Sequence, residues 1–190
     1  GDGEPVSARA MARAISTGTD RVVLVNPHET TVADFFDVPA ETVDAAGVLA
    51  DPLPAELDNP LFLAPDEGAI DAAATVRDAY GTGETDYFEK HRDRETGAVA
   101  VCPSDAPVAD RDVVVVDDII ATGSTMSESV AVLTDRGAAR VLTACVHPVL
   151  AANAVTKLRA AGVDRILGSD TVERGCSVVS VAPALADALD

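Results

Sequence analysis

The 190-residue chain is poor in aromatic and basic residues and contains no tryptophan. Phe, Tyr and Trp make up 3% of it, whereas 47% of the residues are hydrophobic, so Ala, Val and Leu must build the core. Lysine occurs twice, as Lys90 and Lys157, and 32 acidic residues against 14 basic ones give a formal net charge of −18. This balance argues against binding to nucleic acid or to a membrane surface, because both require basic patches. It is typical of proteins from salt-loving archaea, where salt screens self-repulsion, although a merely acidic cytosolic protein would also fit.

Cysteine and long apolar runs are also scarce. The three cysteines, Cys102, Cys145 and Cys176, show neither CxxC spacing nor partner histidines, which predicts small buried side chains in a reducing, cytoplasmic compartment. No apolar run is long enough to span a bilayer or to act as a secretory signal. The length fits one domain, 1–190, and strands alternate with helical patterns along it, which predicts an α/β fold with a doubly wound, mostly parallel sheet.

The most informative stretch is 113–125, which reads VVVVDDIIATGST. Four consecutive valines predict a strand buried on both faces, and Asp117 and Asp118 follow at its carboxyl end, where open α/β sheets bind ligands. The turn of small residues after them leads into a predicted helix, so backbone N–H groups and the helix dipole would suit a phosphate. Two acids beside a phosphate site fit a ligand that also carries hydroxyls or arrives with a divalent cation. The alternative is an ordinary strand, turn and helix with an acidic first turn.

Other predicted strand ends carry polar residues, each of which also has a structural explanation. His28 follows the predicted strand 21–26 and could be a turn histidine, and Asp66 follows Leu61–Ala64 and could cap a helix. Lys90 and Arg92 follow the strand 85–88 and could belong to a solvated flap, although lysine is rare in this chain. The segments 93–97 and 98–102 predict a small hairpin flap. Weakly helical patterns at 40–49 and a helical pattern at 149–161 complete the predictions that matter below.

The stretch 113–125 resembles the signature of proteins that bind 5-phosphoribosyl-1-pyrophosphate (PRPP) or ribose 5-phosphate, which consists of an apolar strand, two acids and Thr-Gly-x-Thr. The resemblance extends over the whole chain to the ribose-phosphate diphosphokinases, which make PRPP and share the type I phosphoribosyltransferase fold. It is carried by His28 with the turn FFDVP at 35–39, by APDEG at 64–68, by EKHR at 89–92, by CVHPVLAANA at 145–154 and by the tail APALADAL at 182–189.

The resemblance implies a role for each matched residue. Lys90 would be the catalytic lysine, and His28 and Asp66 would be metal ligands. The residues that would bind ribose 5-phosphate or PRPP are Arg92, Asp117, Asp118, Ala121, Thr122, Gly123, Ser124 and Thr125. The family has two related domains, and the resemblance implies that 1–190 is the second, with no counterpart of the first in this chain.

The implied reaction transfers the diphosphoryl group of ATP to ribose 5-phosphate, with Mg²⁺ as cofactor, and gives PRPP and AMP. The family builds its ATP site across subunits, so a homo-oligomer is expected. Ala121 stands where many diphosphokinases have an acid and transferases often have alanine, so the signature alone also fits a phosphoribosyltransferase that uses PRPP and a nucleobase. A non-catalytic, PRPP-binding regulatory subunit is a further alternative, as is a chain that binds ribose 5-phosphate and is inert without its partner domain.

Overall fold

The computed structural model describes residues 6–92, 99–103 and 106–189, with side chains described at 7–89 and 106–189. The chain forms two compact units, Gly1–Ala45 with Pro183–Asp190, and Ala46–Ala182. The prediction of one domain over 1–190 stays a prediction. No described helix is both long and apolar enough to cross a membrane.

The unit Ala46–Ala182 is built on a seven-stranded sheet. Its strands are β3 (Leu61–Ala64), β4 (Glu84–Arg92), β5 (Val99–Pro103), β6 (Asp112–Ile119), β7 (Arg140–His147), β8 (Arg165–Ser169) and β9 (Ser177–Val179). They lie in the order β5-β4-β3-β6-β7-β8-β9. All neighbouring pairs are parallel except β4 and β5, which pair antiparallel as the predicted hairpin requires. The predicted hairpin tip, 93–97, lies outside the described residues.

Strand β6 lies in the middle of this sheet because its valines can be buried on both sides. Val113 and Val115 belong to a core cluster with residues of α3 (Ser124–Asp135) and α4 (Ala154–Ala160). Side chains alternate along a strand, so Val114 and Val116 face the opposite side, where α2 (Ile70–Tyr80) packs on the sheet. All four valines are fully buried. Helices therefore cover both faces, and the doubly wound α/β sheet predicted from the sequence is confirmed.

The unit that contains the amino-terminal residues is smaller. It holds α1 (Val6–Ser16) and a separate two-stranded parallel sheet of β1 (Val22–Val25) and β2 (Ala40–Val43). Most of the last helix, α5 (Ala182–Leu189), also belongs to it. The prediction of a helical 40–49 is wrong, because 40–43 pairs with β1 and only 46–50 forms a short 3₁₀ turn. That pairing is made with residues 18 positions earlier, as in Val22 with Ala40, and a local pattern does not reveal it.

The prediction of a helix over 149–161 is half right. Residues 154–160 are helical, but 149–153 run as a loop in which Leu150 (φ 45°) and Ala152 (φ 53°) adopt left-handed backbone conformations. The loop has other partners, since Leu150 N–H donates to Ile120 C=O at 2.8 Å and Ala151 N–H donates to Ala121 C=O at 2.8 Å. These backbone bonds extend the pairing of β6 and β7 past the ends of the strands.

Candidate active site

The candidate site lies at the carboxyl edge of the seven-stranded sheet. Because β3, β6 and β7 are parallel neighbours, the residues that follow them emerge at the same edge. Asp66 follows β3, and Asp117 and Asp118 form the end of β6. The structure therefore brings together the three acids that the sequence singled out in this unit.

Asp117 and Asp118 are adjacent and hydrogen-bonded to each other. Asp118 N–H donates to the Asp117 carboxylate at 2.9 Å, and both residues are half-buried. Burial, then the side-chain hydrogen bond and the charge of Asp118, raise the pKa of Asp117 from its ordinary 3.8 to about 7, and the charge of Asp66 adds to the shift. A sugar hydroxyl or a cation at this position would stabilise the ionised form of Asp117.

This raised pKa predicts a measurable effect on stability. The folded protein keeps a proton on Asp117 up to about pH 7, whereas the unfolded chain loses it near 3.8, so ionisation penalises the fold. We expect the free energy of unfolding to fall as the pH rises from 4 to 7, relative to the Asp117→Asn variant, by no more than about 4 kcal/mol. Denaturant titrations of both proteins at several pH values measure the difference. Parallel pH profiles of the two proteins would contradict the shift.

The segment from Ala121 to Thr125 forms an exposed loop that opens into α3. Ala121, Thr122, Ser124 and Thr125 are exposed, whereas Gly123 and the following Met126 are buried and anchor the loop. Gly123 precedes the helix in a left-handed conformation, with φ 70°. The first N–H groups of an α-helix have no carbonyl partner inside it, so they are available to an anion at this end.

The loop packs against α4 and the segment before it. A Cβ atom on Gly123 would lie 3.2 Å from Ala154 Cβ and 3.3 Å from Ala154 Cα, so the loop backbone touches the first turn of α4. Lys157 reaches back from that helix, and its ammonium group donates to Ser124 Oγ at 3.0 Å and to Thr122 C=O at 3.4 Å. Sequence reasoning missed this residue as a site residue. The sequence shows that lysine is rare in this chain. It does not show the contact with Ser124, because the two residues are 33 positions apart.

The side chains of three predicted site residues are not located relative to the acids and the 121–125 loop. Strand β4 carries Lys90 and Arg92, opposite Val101 and Val99 of β5, but their side chains lie outside the described residues. His28 follows β1 in the smaller unit. The roles of Lys90, Arg92 and His28 stay predictions.

The few carboxylates at the sheet edge suit Mg²⁺, which needs few protein ligands, better than a metal ion that takes all its ligands from the protein. Among the described side chains, no group of three or more His, Cys, Asp or Glu residues is arranged to hold a metal. Mg²⁺ usually takes one or two carboxylates and completes its shell with water and substrate phosphates. The Asp117 carboxyl, whose pKa is raised first by burial and then by the neighbouring acids, is the kind of group whose ionised form such an ion stabilises.

A cavity of about 480 Å³ lies elsewhere in the same unit. Its lining combines apolar residues with four charged ones, Arg159, Asp164, Arg165 and Arg174. None of the residues predicted for the site belongs to this lining, so the chemistry of the sheet edge and not the volume of a cavity defines the candidate site. Cys145 is buried as predicted, Cys176 is half-buried, and the Cys102 side chain lies outside the described residues.

Comparison with known proteins agrees with this geometry. The profile of the phosphoribosyl transferase domain matches residues 44–183, which include the acids, the loop and all seven strands of the large sheet. The chain belongs to the phosphoribosyl transferase domain family. The type I phosphoribosyltransferase fold predicted from the sequence is thereby confirmed.

Individual relatives of this phosphoribosyl transferase domain include ribose-phosphate pyrophosphokinases and a phosphoribosylpyrophosphate synthetase. The chain is 60% identical to the ribose-phosphate pyrophosphokinase of Halobacterium salinarum over 98% of its own length and 66% of that protein. It is 45% identical to the ribose-phosphate pyrophosphokinase of Methanosarcina mazei, over 98% and 62% of the two chains. The crystal structure of phosphoribosylpyrophosphate synthetase from Mycobacterium smegmatis matches with a TM-score of 0.77 and 28% identity, over 98% and 63%. The resemblance found in the sequence is confirmed, and the chain spans just under two-thirds of these relatives.

Proposed function

We propose that the protein acts as a ribose-phosphate diphosphokinase, which transfers the β,γ-diphosphoryl group of ATP to the anomeric hydroxyl of ribose 5-phosphate. The observation that carries the proposal is the hydrogen-bonded pair Asp117 and Asp118, which lies shortly before an exposed loop at the start of α3. A sugar phosphate offers hydroxyls to the acids and an anion to the loop. The names of the relatives agree with this choice of substrate.

The loop would hold the 5-phosphate. Backbone N–H groups at the start of α3 would donate to its oxygens, and the hydroxyls of Thr122, Ser124 and Thr125 would add side-chain donors. Ala121 and Gly123 would let the backbone approach the phosphate closely, since neither carries a bulky side chain. Buried Gly123 and Met126 would keep these donors in place, which matters because positioning dominates phosphoryl transfer.

The paired acids would hold the ribose ring. As carboxylates, Asp117 and Asp118 accept hydrogen bonds from the 2- and 3-hydroxyls, directly or through Mg²⁺. The raised pKa of Asp117 implies that binding competes with a proton near pH 7. Asp66 and, from the resemblance alone, His28 are the proposed metal ligands. When bound, Mg²⁺ would neutralise charge on the phosphates of ATP.

Lys90 and Arg92 would act on the transferring group. Both belong to β4, the strand next to β3, and the resemblance gives Lys90 the catalytic role and Arg92 a contact with the sugar phosphate. Cations placed against the transferred phosphates stabilise the charge of the transition state. The adenine site and the predicted self-association are not assigned to residues of this chain.

The test is a product assay on the protein at its full natural length. The protein is mixed with ATP, Mg²⁺ and ribose 5-phosphate at high salt, and AMP and PRPP are measured. Stoichiometric formation of both products would support the proposal. Release of pyrophosphate from PRPP that depends on a nucleobase would instead support a phosphoribosyltransferase. Binding of PRPP without either reaction would support a regulatory subunit.

A further inference from the structure

We propose that Lys157 binds the phosphate of the substrate. Lys157 belongs to α4, whereas the 121–125 loop leads into α3, so a second helix would contribute to the phosphate site. This inference deepens the proposed function and rests on the 121–125 loop being the sugar-phosphate site. It begins from the 3.0 Å contact between Lys157 Nζ and Ser124 Oγ.

Helix α4 is fixed in a position from which Lys157 can act. Ala154 and Leu158 are fully buried, one turn apart, and anchor one side of the helix in the core. Ala154 also touches Gly123, and the segment before the helix is bonded to Ile120 and Ala121. Lys157 lies next to this anchored side, so the helix places the base of its side chain within reach of the loop.

The two hydrogen bonds of Lys157 prepare the loop for an anion. An ammonium group only donates, so Ser124 Oγ accepts from Lys157. The Ser124 hydroxyl also lies 3.4 Å from Thr122 Oγ1, a long contact in which either hydroxyl can donate, and a bound phosphate would offer the Ser124 proton a stronger acceptor. The bond to Thr122 C=O occupies a carbonyl oxygen that would otherwise repel an anion. A hydroxyl that accepts from a cation is also a stronger donor than an isolated one.

The charge of Lys157 is available to a ligand. No carboxylate of the described residues forms an ion pair with its ammonium group, in a chain where acids outnumber bases by 32 to 14. A positive charge that pairs with a hydroxyl and a carbonyl, and that stands at the start of a helix beside exposed donors, is the arrangement that a phosphate dianion would complete.

The experiment measures equilibrium binding of ribose 5-phosphate and of inorganic phosphate by calorimetry to the full chain and its variants. Lys157→Met, which keeps most of the length of the side chain and removes its ammonium group, is expected to weaken both affinities roughly tenfold or more. Lys157→Arg should restore binding to within about threefold of wild type, because a guanidinium can replace the charge and the donors. In a steady-state assay, Lys157→Met should raise KM for ribose 5-phosphate while kcat changes little.

Arg159→Ala is the matched control, since it removes one positive charge from the same helix two residues away, and Arg159 lines the separate cavity. It should leave both affinities within about twofold of wild type. Wild-type affinity in Lys157→Met would overturn the role of Lys157 and leave the proposed function standing. Failure of the wild-type chain to bind either ligand would overturn both. Equal weakening in Lys157→Met and Arg159→Ala would reduce the effect to net charge and overturn the specific contact.

Discussion

Lys90→Ala is expected to slow the formation of PRPP by roughly a thousandfold, because it removes a cation proposed to stabilise charge on the transferring diphosphoryl group. Lys90 belongs to β4, which pairs with β3 in the sheet that carries Asp66 and the paired acids. Since the loop and the acids would hold ribose 5-phosphate, its affinity should stay within about twofold of wild type. Single-turnover kinetics and calorimetry on the same preparation separate the two quantities.

The control for this prediction is Arg136→Ala, which removes a positive charge at the far end of α3, away from the loop. It should leave turnover close to that of wild type. Lys90→Arg, which keeps a cation but changes its geometry, should recover part of the lost rate. Normal turnover by Lys90→Ala would refute the catalytic role that the resemblance assigns to this residue.

Gly123→Ala is expected to weaken the binding of ribose 5-phosphate roughly a hundredfold, because it displaces the loop that would hold the phosphate. The position combines a φ of 70° with a Cβ that would lie 3.2 Å from Ala154 Cβ. The left-handed conformation disfavours any residue with a side chain, and the crowding forces either the loop or α4 to move. We also expect a loss of about 1–3 kcal/mol in the free energy of unfolding.

Gly81→Ala provides the comparison that separates strain from crowding. Gly81 ends α2 with a φ of 92°, and a Cβ there would have no heavy atom within 4 Å. This variant should lose stability through backbone strain alone and bind ribose 5-phosphate as wild type does. If Gly123→Ala lost no more stability and no more affinity for ribose 5-phosphate than Gly81→Ala, the close approach of the loop to α4 would not contribute to substrate binding.

Local sequence was sufficient for the centre of the site. Val113–Val116 could be identified as a strand buried on both faces, because four consecutive β-branched residues have no amphipathic alternation. The acids and the small-residue loop follow within nine residues, so their order in the chain already gives their order in space. The structure adds what order alone cannot give, which is the burial of Asp117, its hydrogen bond with Asp118 and the influence of the Asp66 charge on its pKa.

The features that the sequence did not reveal depend on contacts between distant residues. Residues 149–153 have a helical composition, yet their backbone bonds to Ile120 and Ala121 hold them in a loop. Residues 40–43 form a strand only because β1 is available to pair with them. Lys157 belongs to the same class, because its partner is 33 residues away and no local pattern distinguishes a lysine at a loop from one in solvent.

The central position of β6 has a consequence for the behaviour of the acids. The amides of Val114 and Val115 lie between two hydrogen-bonded neighbours and are shielded by helices on both faces, so they should be among the last in this unit to exchange with deuterium. Asp117 and Asp118 are attached to that slowly exchanging segment. Their spacing should therefore persist until the unit unfolds as a whole. The charge of this carboxyl pair should then change with pH through protonation of Asp117, and not through local opening of the backbone.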